Sequence, residues 1–453
     1  MTRKQLSLIG AAVLGLGALT SIGITAKPAA ENYVAPLVKE QINTSINGKV
    51  NYDSLTIGMD GTVWLENVVV NDTAVHKIAT APTVEVGLNV LKAPTLLFSD
   101  AEAMSLISSV TVENPDVHVW QLSDGTWNVQ QLVKSSSTSD SSSFTGSVIV
   151  NDGTVAARLS DGTRYEMEDV DGTISLRDNP VVDGAVKAVF DGEEITARGN
   201  INTKNLNDFA VYVQADSINA IHVNQLLKSR NDISISGGFI DDVHVNIKSD
   251  GNNGYTMSGN LNLTDIDGAY VNGGTSYAIT EGQARIMLNK NQAIISASDA
   301  LINGEEFQVD GVIELADDTN LNLTVLADQA SLLALAPDQG IDGLASANLQ
   351  ITGTTVSPKI SGHILGENIS YNGLVIDSVE SDISYTEGKA DLGNLQAYMG
   401  DGVLAGRATY DVDNTDFEAQ LTAEALDLSA ITAAVDISAT GTVSGLAHVK
   451  GRQ

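Results

Sequence analysis

Cysteine is absent from the 453 residues. Disulfides and thiolate metal sites are therefore excluded, while the compartment stays open. Basic residues are scarce: 24 Lys and Arg stand against 57 Asp and Glu, a formal net charge of −33. Phosphate backbones need a basic surface, so nucleic acid is excluded as a partner. Broad adsorption to anionic head groups is disfavoured for the same reason. An acidic surface also simply keeps a chain soluble. Aromatics make up 5% of the chain, and there are 8 prolines against 41 glycines. Hydrophobic residues still reach 43%, so the apolar material is mostly small side chains. That composition suits a thin, extended sheet better than a thick globular core. The length exceeds an ordinary single all-β domain and points to several domains or a repeat array.

Catalytic signatures are missing too. The six histidines (His76, His118, His222, His244, His363 and His448) are scattered, with no pair at metal-ligand spacing. HExxH, GxSxG and GxxxxGK[ST] do not occur. Asp152-Gly153 and Asp171-Gly172 lack the ligand spacing of a calcium loop and read as hairpin turns with glycine at positive φ. Glu193-Glu194 and Glu305-Glu306 are adjacent pairs. Neighbours on a strand point to opposite faces, so neither pair converges on one substrate as glycosidase carboxylates do. The expectation is a non-enzyme with no catalytic, cofactor-binding or metal residues.

What is present begins at the N-terminus. Arg3 and Lys4 precede an uncharged run from Leu6 to Thr25, with Leu6, Leu8, Ile9, Val13, Leu14, Leu16, Leu19, Ile22 and Ile24 as its apolar body. About 20 such residues span a bilayer as a helix. The competing reading is a cleaved signal peptide, with a weak site at Ile24-Thr25-Ala26. The anchor, residues 1–27, is the favoured reading, with Arg3 and Lys4 in the cytoplasm. Either way the remainder is exported.

Residues 28–46 suit a short helix, with Val34, Leu37, Val38 and Ile42 at helical spacing after Pro28. Beyond Asn47-Gly48 the period becomes two: Val50, Tyr52, Leu55 and Ile57, then Val63, Leu65, Val68 and Val70, with turns at 59–62 and 70–73. Residues 134–143 are almost entirely Ser and Thr and read as a linker or exposed loop. They divide an N-terminal module (28–133) from the rest (144–453).

The rest repeats. Gly199, Gly311 and Gly406, at intervals of 112 and 95 residues, each open a strand pair that ends on alanine and then an acid: Ala215-Asp216, Ala327-Asp328 and Ala423-Glu424. One face of the second strand reads Phe209, Val211, Val213; then Leu321, Leu323, Val325; then Phe417, Ala419, Leu421. The alternate face is mostly polar, as in a half-buried strand. Echoes accompany these copies: Gly192-Glu193-Glu194 with Gly304-Glu305-Glu306, and Thr280-Glu281-Gly282 with Thr386-Glu387-Gly388. Repeat units are expected at about 144–220, 235–335 and 345–435. The segment 349–357 also echoes 437–445, near the end of the chain. That is the pattern of an array that is cut off or is capped by a partner.

Three stretches carry a family resemblance. Leu55 to Val68 resembles the opening hairpin of the AsmA/TamB family. Val112-Glu113-Asn114-Pro115-Asp116-Val117-His118-Val119, followed by Asp124-Gly125-Thr126-Trp127-Asn128-Val129 and Leu132, resembles that family's most recognisable segment. Its family-motif residues here are Pro115, Asp124, Gly125, Trp127 and Asn128. Ile351 to Tyr410, with Gly353, Pro358, Gly362, Tyr385, Gly388, Gly400, Gly402 and Gly406, resembles the TamB-like repeat. The C-terminal domain of TamB-like proteins has no counterpart.

The resemblance implies a bridge-like lipid-transfer protein anchored in the inner membrane of a two-membrane bacterium. Its long twisted β-sheet would curl into an open apolar groove across the periplasm. Phospholipid would be the cargo and an outer-membrane barrel protein a possible partner, with a linked role in outer-membrane protein assembly. The nine repeated-face residues are then the candidate groove lining. The competing expectation is an exported structural or adhesin-like rod, whose apolar face is an ordinary core sealed by protein.

Overall fold

The computed structural model describes residues 48–58, 62–88, 107–124, 127–131, 146–178, 180–202, 205–225, 232–251, 254–272, 274–315, 319–429 and 440–452. The expected anchor, the leading helix at 28–46, the Ser-rich tract and Gly125 lie outside these residues. Among the described residues no helix is long and apolar enough to cross a membrane. The fold is all-β, with 24 mostly antiparallel strands among the described residues.

The chain forms two compact units. The first comprises Met1–Asp216 with His244–Thr256, and the second comprises Ser217–Val243 with Met257–Gln453. In the first unit the strands are β1 (Lys49–Asn51), β2 (Ser54–Ile57), β3 (Val63–Asn71), β4 (Lys77–Leu88), β5 (Ile107–Glu113), β6 (Asp116–Trp120), β7 (Ser147–Arg158), β8 (Arg164–Ser175), β9 (Val181–Phe190), β10 (Glu193–Asn202) and β11 (Asn205–Asn219). The short helix α1 (Asn128–Gln131) lies between β6 and β7. β1 and β2 both pair with β3, and β5 and β6 both pair with β4. β7 then joins β5 and β6 in parallel, so hydrogen bonding continues across the Ser-rich tract. From β7 to β11 each strand pairs antiparallel with the next.

β12 (Ile233–Ser249) falls in both units. The second unit continues with β13 (Tyr255–Asn272), β14 (Thr275–Lys290), β15 (Gln292–Ile302), β16 (Glu305–Glu314), β17 (Asn320–Ser331), β18 (Ile341–Thr354), β19 (Pro358–Tyr371), β20 (Leu374–Thr386), β21 (Lys389–Met399), β22 (Gly402–Asp411), β23 (Asp416–Asp427) and β24 (Thr442–Arg452). From β13 onward every strand pairs antiparallel with its sequence neighbour. A helical turn, α2 (Leu332–Leu335), bridges β17 and β18; Ser331 caps it by accepting from the Ala334 N–H.

Turn chemistry fixes the hairpins. Asp191-Gly192, Asn303-Gly304, Asn372-Gly373 and Glu387-Gly388 all have positive φ at both residues. That is the two-residue turn whose twist matches flanking strands. The echo between Gly192-Glu193-Glu194 and Gly304-Glu305-Glu306 is thus one hairpin seen twice.

Three expectations change. Asp152-Gly153 and Asp171-Gly172 are not hairpin turns: they lie inside β7 and β8, where the register shifts, and the residues at positive φ are Asp152 and Asp169. Glu387-Gly388 is a hairpin tip, whereas Glu281-Gly282 sits inside β14 at a bulge. A Glu-Gly pair supplies the left-handed residue that either feature needs, so the sequence echo joins two different structures. Finally, 349–357 runs from the end of β18 into a turn, while Gly441 stands just before β24 begins. Gly353 thus lies within a strand and Gly441 ahead of one, so the described parts of the two segments differ.

Candidate functional site

Directly opposed residues in a β-ladder share one face, so the pairing registers trace which side chains lie together. In the first unit one row reads Ile57, Val63, Val86, Val110, Val148, Ile174, Gly184, Gly199 and Val211. Its early members are sealed. Val63, Val86, Val110 and Val148 join Val50, Leu55, Leu65, Val68, Leu176 and Val182 in a packed core, with Val86 at 0% exposure. Further along the row the cover thins, and Ile174, Gly199 and Val211 are half-buried. Phe209, Val211 and Val213 oppose Ile201, Gly199 and Ala197, and all three are half-buried.

The motif residues of this unit serve the sheet. Pro115 is buried between β5 and β6, and its carbonyl accepts from the Thr154 N–H at 2.7 Å. Asn128 is 2% exposed. Its amide donates to the His118 carbonyl at 3.3 Å and accepts from the Trp120 N–H at 2.9 Å. One side chain thereby stands in for a strand beside β6 and satisfies backbone groups that burial would otherwise leave unpaired. Trp127 bridges to Gln121 in an isolated antiparallel contact, and Asp124 lies exposed in the intervening turn. These roles are structural.

In the second unit the longest row crosses every strand from β13 to β24. It reads Leu261, Ile286, Ile295, Gly311, Leu323, Ile351, Ile360, Tyr385, Ala390, Tyr410, Phe417 and Gly451. A neighbouring row reads Val309, Val325, Leu349, Gly362, Ile383, Leu392, Ala408, Ala419 and Val449. Leu323 and Phe417 thus share one row, and Val325 and Ala419 share the next. Leu321 and Leu421 occupy the same face, opposite Ile313 and Gly406. The register brings all six second-unit candidates onto one continuous apolar face.

That face is neither sealed nor bare. All members of both rows from β16 to β23 are half-buried except Phe417, which is 37% exposed. The reverse face is polar and mostly exposed: Thr324, Gln350, Lys359, Ser384, Lys389, Thr409 and Gln420 are examples. It carries the ion pairs, with His448 Nε2 at 2.6 Å and Lys450 Nζ at 3.1 Å from Glu418, and Arg452 Nε at 2.8 Å from Asp416. The hydrogen bond from His448, then that from Lys450, holds the Glu418 carboxyl down at about 2.

Glycine shapes the apolar face at three matched positions. A Cβ on Gly311 would lie 2.2 Å from the Asn322 carbonyl oxygen, and one on Gly406 or Gly362 would lie 2.1 Å from the oxygens of Gln420 and Asn348. Gly199 in the first unit has the same geometry against Ala210. The backbones approach where a side chain cannot fit. Since Gly199, Gly311 and Gly406 belong to β10, β16 and β22, the repeat is six strands wide.

Bulges supply the second shaping device. Gln329 and Ala425 each follow the alanine–acid signature and have φ of 49° and 51°. Their N–H groups donate to Ser346 Oγ and Ser444 Oγ, each at 2.9 Å. Similar left-handed residues interrupt β13, β14, β15, β19 and β21 at Asp265, Glu281, Ala297, Asn368 and Asn394. Each bulge bends its strand and increases the local twist. Sequence reasoning found the repeated alanine–acid pair but not that it marks a bulge.

No cluster of three or more His, Cys, Asp or Glu suited to a metal occurs among the described residues. No family model, curated protein or solved structure matches this chain.

Proposed function

We propose that this protein is a membrane-anchored conduit for phospholipid acyl chains, and that the apolar face of the second unit is the conducting surface. The observation that carries the reading is the unbroken apolar row from Leu261 to Phe417, half-exposed along its length and backed by a polar face. Exposing acyl chain to water costs about 0.8 kcal/mol per CH₂, so two long chains face a barrier on the order of 20 kcal/mol. A continuous apolar surface lowers that barrier without binding any one lipid tightly. Ala, Val, Ile and Gly, rather than Trp and Phe, leave room for a chain beside the sheet.

The wider setting follows from the sequence. The uncharged run 6–25 suits an inner-membrane anchor with the bulk of the chain in the periplasm. The resemblance to the AsmA/TamB family suits delivery toward the outer membrane and contact with a barrel protein there. The face would form an open groove, bent by the glycine notches and bulges. The rod reading draws on the packed core of the first unit; the half-exposed face of the second unit favours the conduit.

The test is transfer of fluorescent phospholipid between donor and acceptor vesicles by the purified full chain. The conduit reading expects transfer well above the spontaneous rate. The double variant Leu323→Asp with Leu421→Asp should abolish it, and Thr324→Asp on the reverse face should not. Equal transfer by all three proteins, or none by the parent chain, would reject the reading.

A further inference from the structure

We infer that a bound lipid lies along the strands of the second unit in one orientation, its head group at the rim lined by Tyr385, Tyr410 and Phe417 and its chain ends at the opposite, buried rim. The inference rests on the conduit reading and adds the direction of the cargo.

Two observations carry it. Cover over the apolar face is graded along the strands from β17 to β23. At one end Ala330, Ala397, Met399 and Leu426 are buried, as are Gly366 and Gly402. The tight approach there is plain: a Cβ on Gly402 would lie 2.8 Å from Leu426 Cδ2. Toward the other end the same face is only half-covered, and Phe417 is the most exposed of its row. The second observation is the row that closes this open end. Tyr385, Ala390, Tyr410 and Phe417 follow one another in register across β20 to β23. Just beyond them stand Glu387, Asp411, Asp413 and Thr415 at the turns. Aromatic rings with an apolar body and a polar tip favour the boundary between hydrocarbon and water.

An amphiphile matches this profile from end to end: dry wall, open apolar floor, aromatic border, charged turns. A second protein sheet would require burial of the whole face, and the described strands of this unit are used up in a single ladder. The face is long enough to hold the chains. Tyr410 and Gly402 stand eight residues apart on β22, about 26 Å at ~3.3 Å per residue. The chains of one leaflet need about half of a ~30 Å hydrocarbon core.

The absence of cysteine makes a clean test possible in the full chain. Tyr410→Cys and Leu404→Cys would each be labelled with a fluorophore and loaded with phosphatidylcholine bearing a spin label near the head group or near the chain end. The oriented arrangement expects the head-proximal label to quench at least twofold more than the distal one at position 410, with the order reversed at position 404. Tyr385→Cys and Val379→Cys repeat the comparison on β20 should a β22 variant not fold. The same ratio at both rims, or a reversed one, would overturn the orientation while leaving the conduit intact. No quenching at any of the four positions would overturn the conduit and the orientation together.

Discussion

At the scale of single residues, small absences and exposed pairs set the geometry. Gly311 shows why the repeat keeps glycine at that place. Its missing Cβ makes room for the Asn322 carbonyl, and the strand crosses tightly enough to present Leu323 beside it. Gly311→Ala should therefore destabilise the protein by about 1–3 kcal/mol, the usual cost of forcing atoms into packed space. Gly393, where an added Cβ would meet nothing within 4 Å, serves as the control; Gly393→Ala should change stability by no more than about 0.5 kcal/mol. Urea denaturation of both variants decides, and equal effects would reject the close-approach account. Glu418 offers a different check. Hydrogen bonds from His448 and then Lys450 lower its carboxyl from 4.5 to about 2. A carboxyl with a folded value below its unfolded value stabilises the fold above the unfolded value. That contribution fades as pH falls from 4.5 toward 2. NMR titration of the Glu418 side chain should show a midpoint near 2, rising toward 4.5 in Lys450→Ala. An ordinary midpoint in the parent chain would mean that β23 and β24 are not joined by this pair in solution.

At the scale of elements, the period-two runs were legible because alternation is a direct imprint of the pleat. Phe209, Val211 and Val213, Leu321, Leu323 and Val325, and Phe417, Ala419 and Leu421 all lie on strands, and on β17 burial alternates with the side chains. The hairpin tips Asp191-Gly192 and Asn303-Gly304 rest on an equally local cause, the positive φ that those residues tolerate, yet in the sequence they stand out only as an echo of Gly-Glu-Glu. Bulges were not. The left-handed residue is Asp152 in β7, Ala297 in β15, Gln329 in β17 and Ala425 in β23. Such different side chains share no local signature. The bulge at Gln329 or Ala425 is specified partly by a serine on the next strand, Ser346 or Ser444. A contact between residues 17 or 19 positions apart leaves no mark on either segment alone. The same limit explains the misread Asp152-Gly153 pair. Its composition suits a turn, and only the neighbouring strand, through Asp171 Oδ1 accepting from the Asp152 N–H at 3.0 Å, reveals a bulge. Asn128 is a further case: its motif was visible, but its use as a substitute strand depends on where β6 lies.

At the scale of the whole molecule, the two units treat the same chemistry in opposite ways. The first buries Val63, Val86, Val110 and Val148 in a protein core, so the stability of that core should be indifferent to lipid. The second leaves Leu323, Ile351, Ile360 and Leu421 half-covered, so a ligand on that face adds stability by mass action, about 2.7 kcal/mol at a hundredfold excess over Kd. Hydrogen exchange can read both units in one sample. Stripping lipid from the full chain should speed exchange in β17 to β23 by up to about a hundredfold, the factor equivalent to that free energy. Exchange in β3 to β5 should stay the same, because valines already in contact with protein gain nothing from a lipid. Returning phosphatidylcholine should restore protection in the second unit alone. Uniform change in both units would instead mark a general detergent effect, and no change in either would mean that the half-exposed rows are ordinary sheet surface with no cargo to carry.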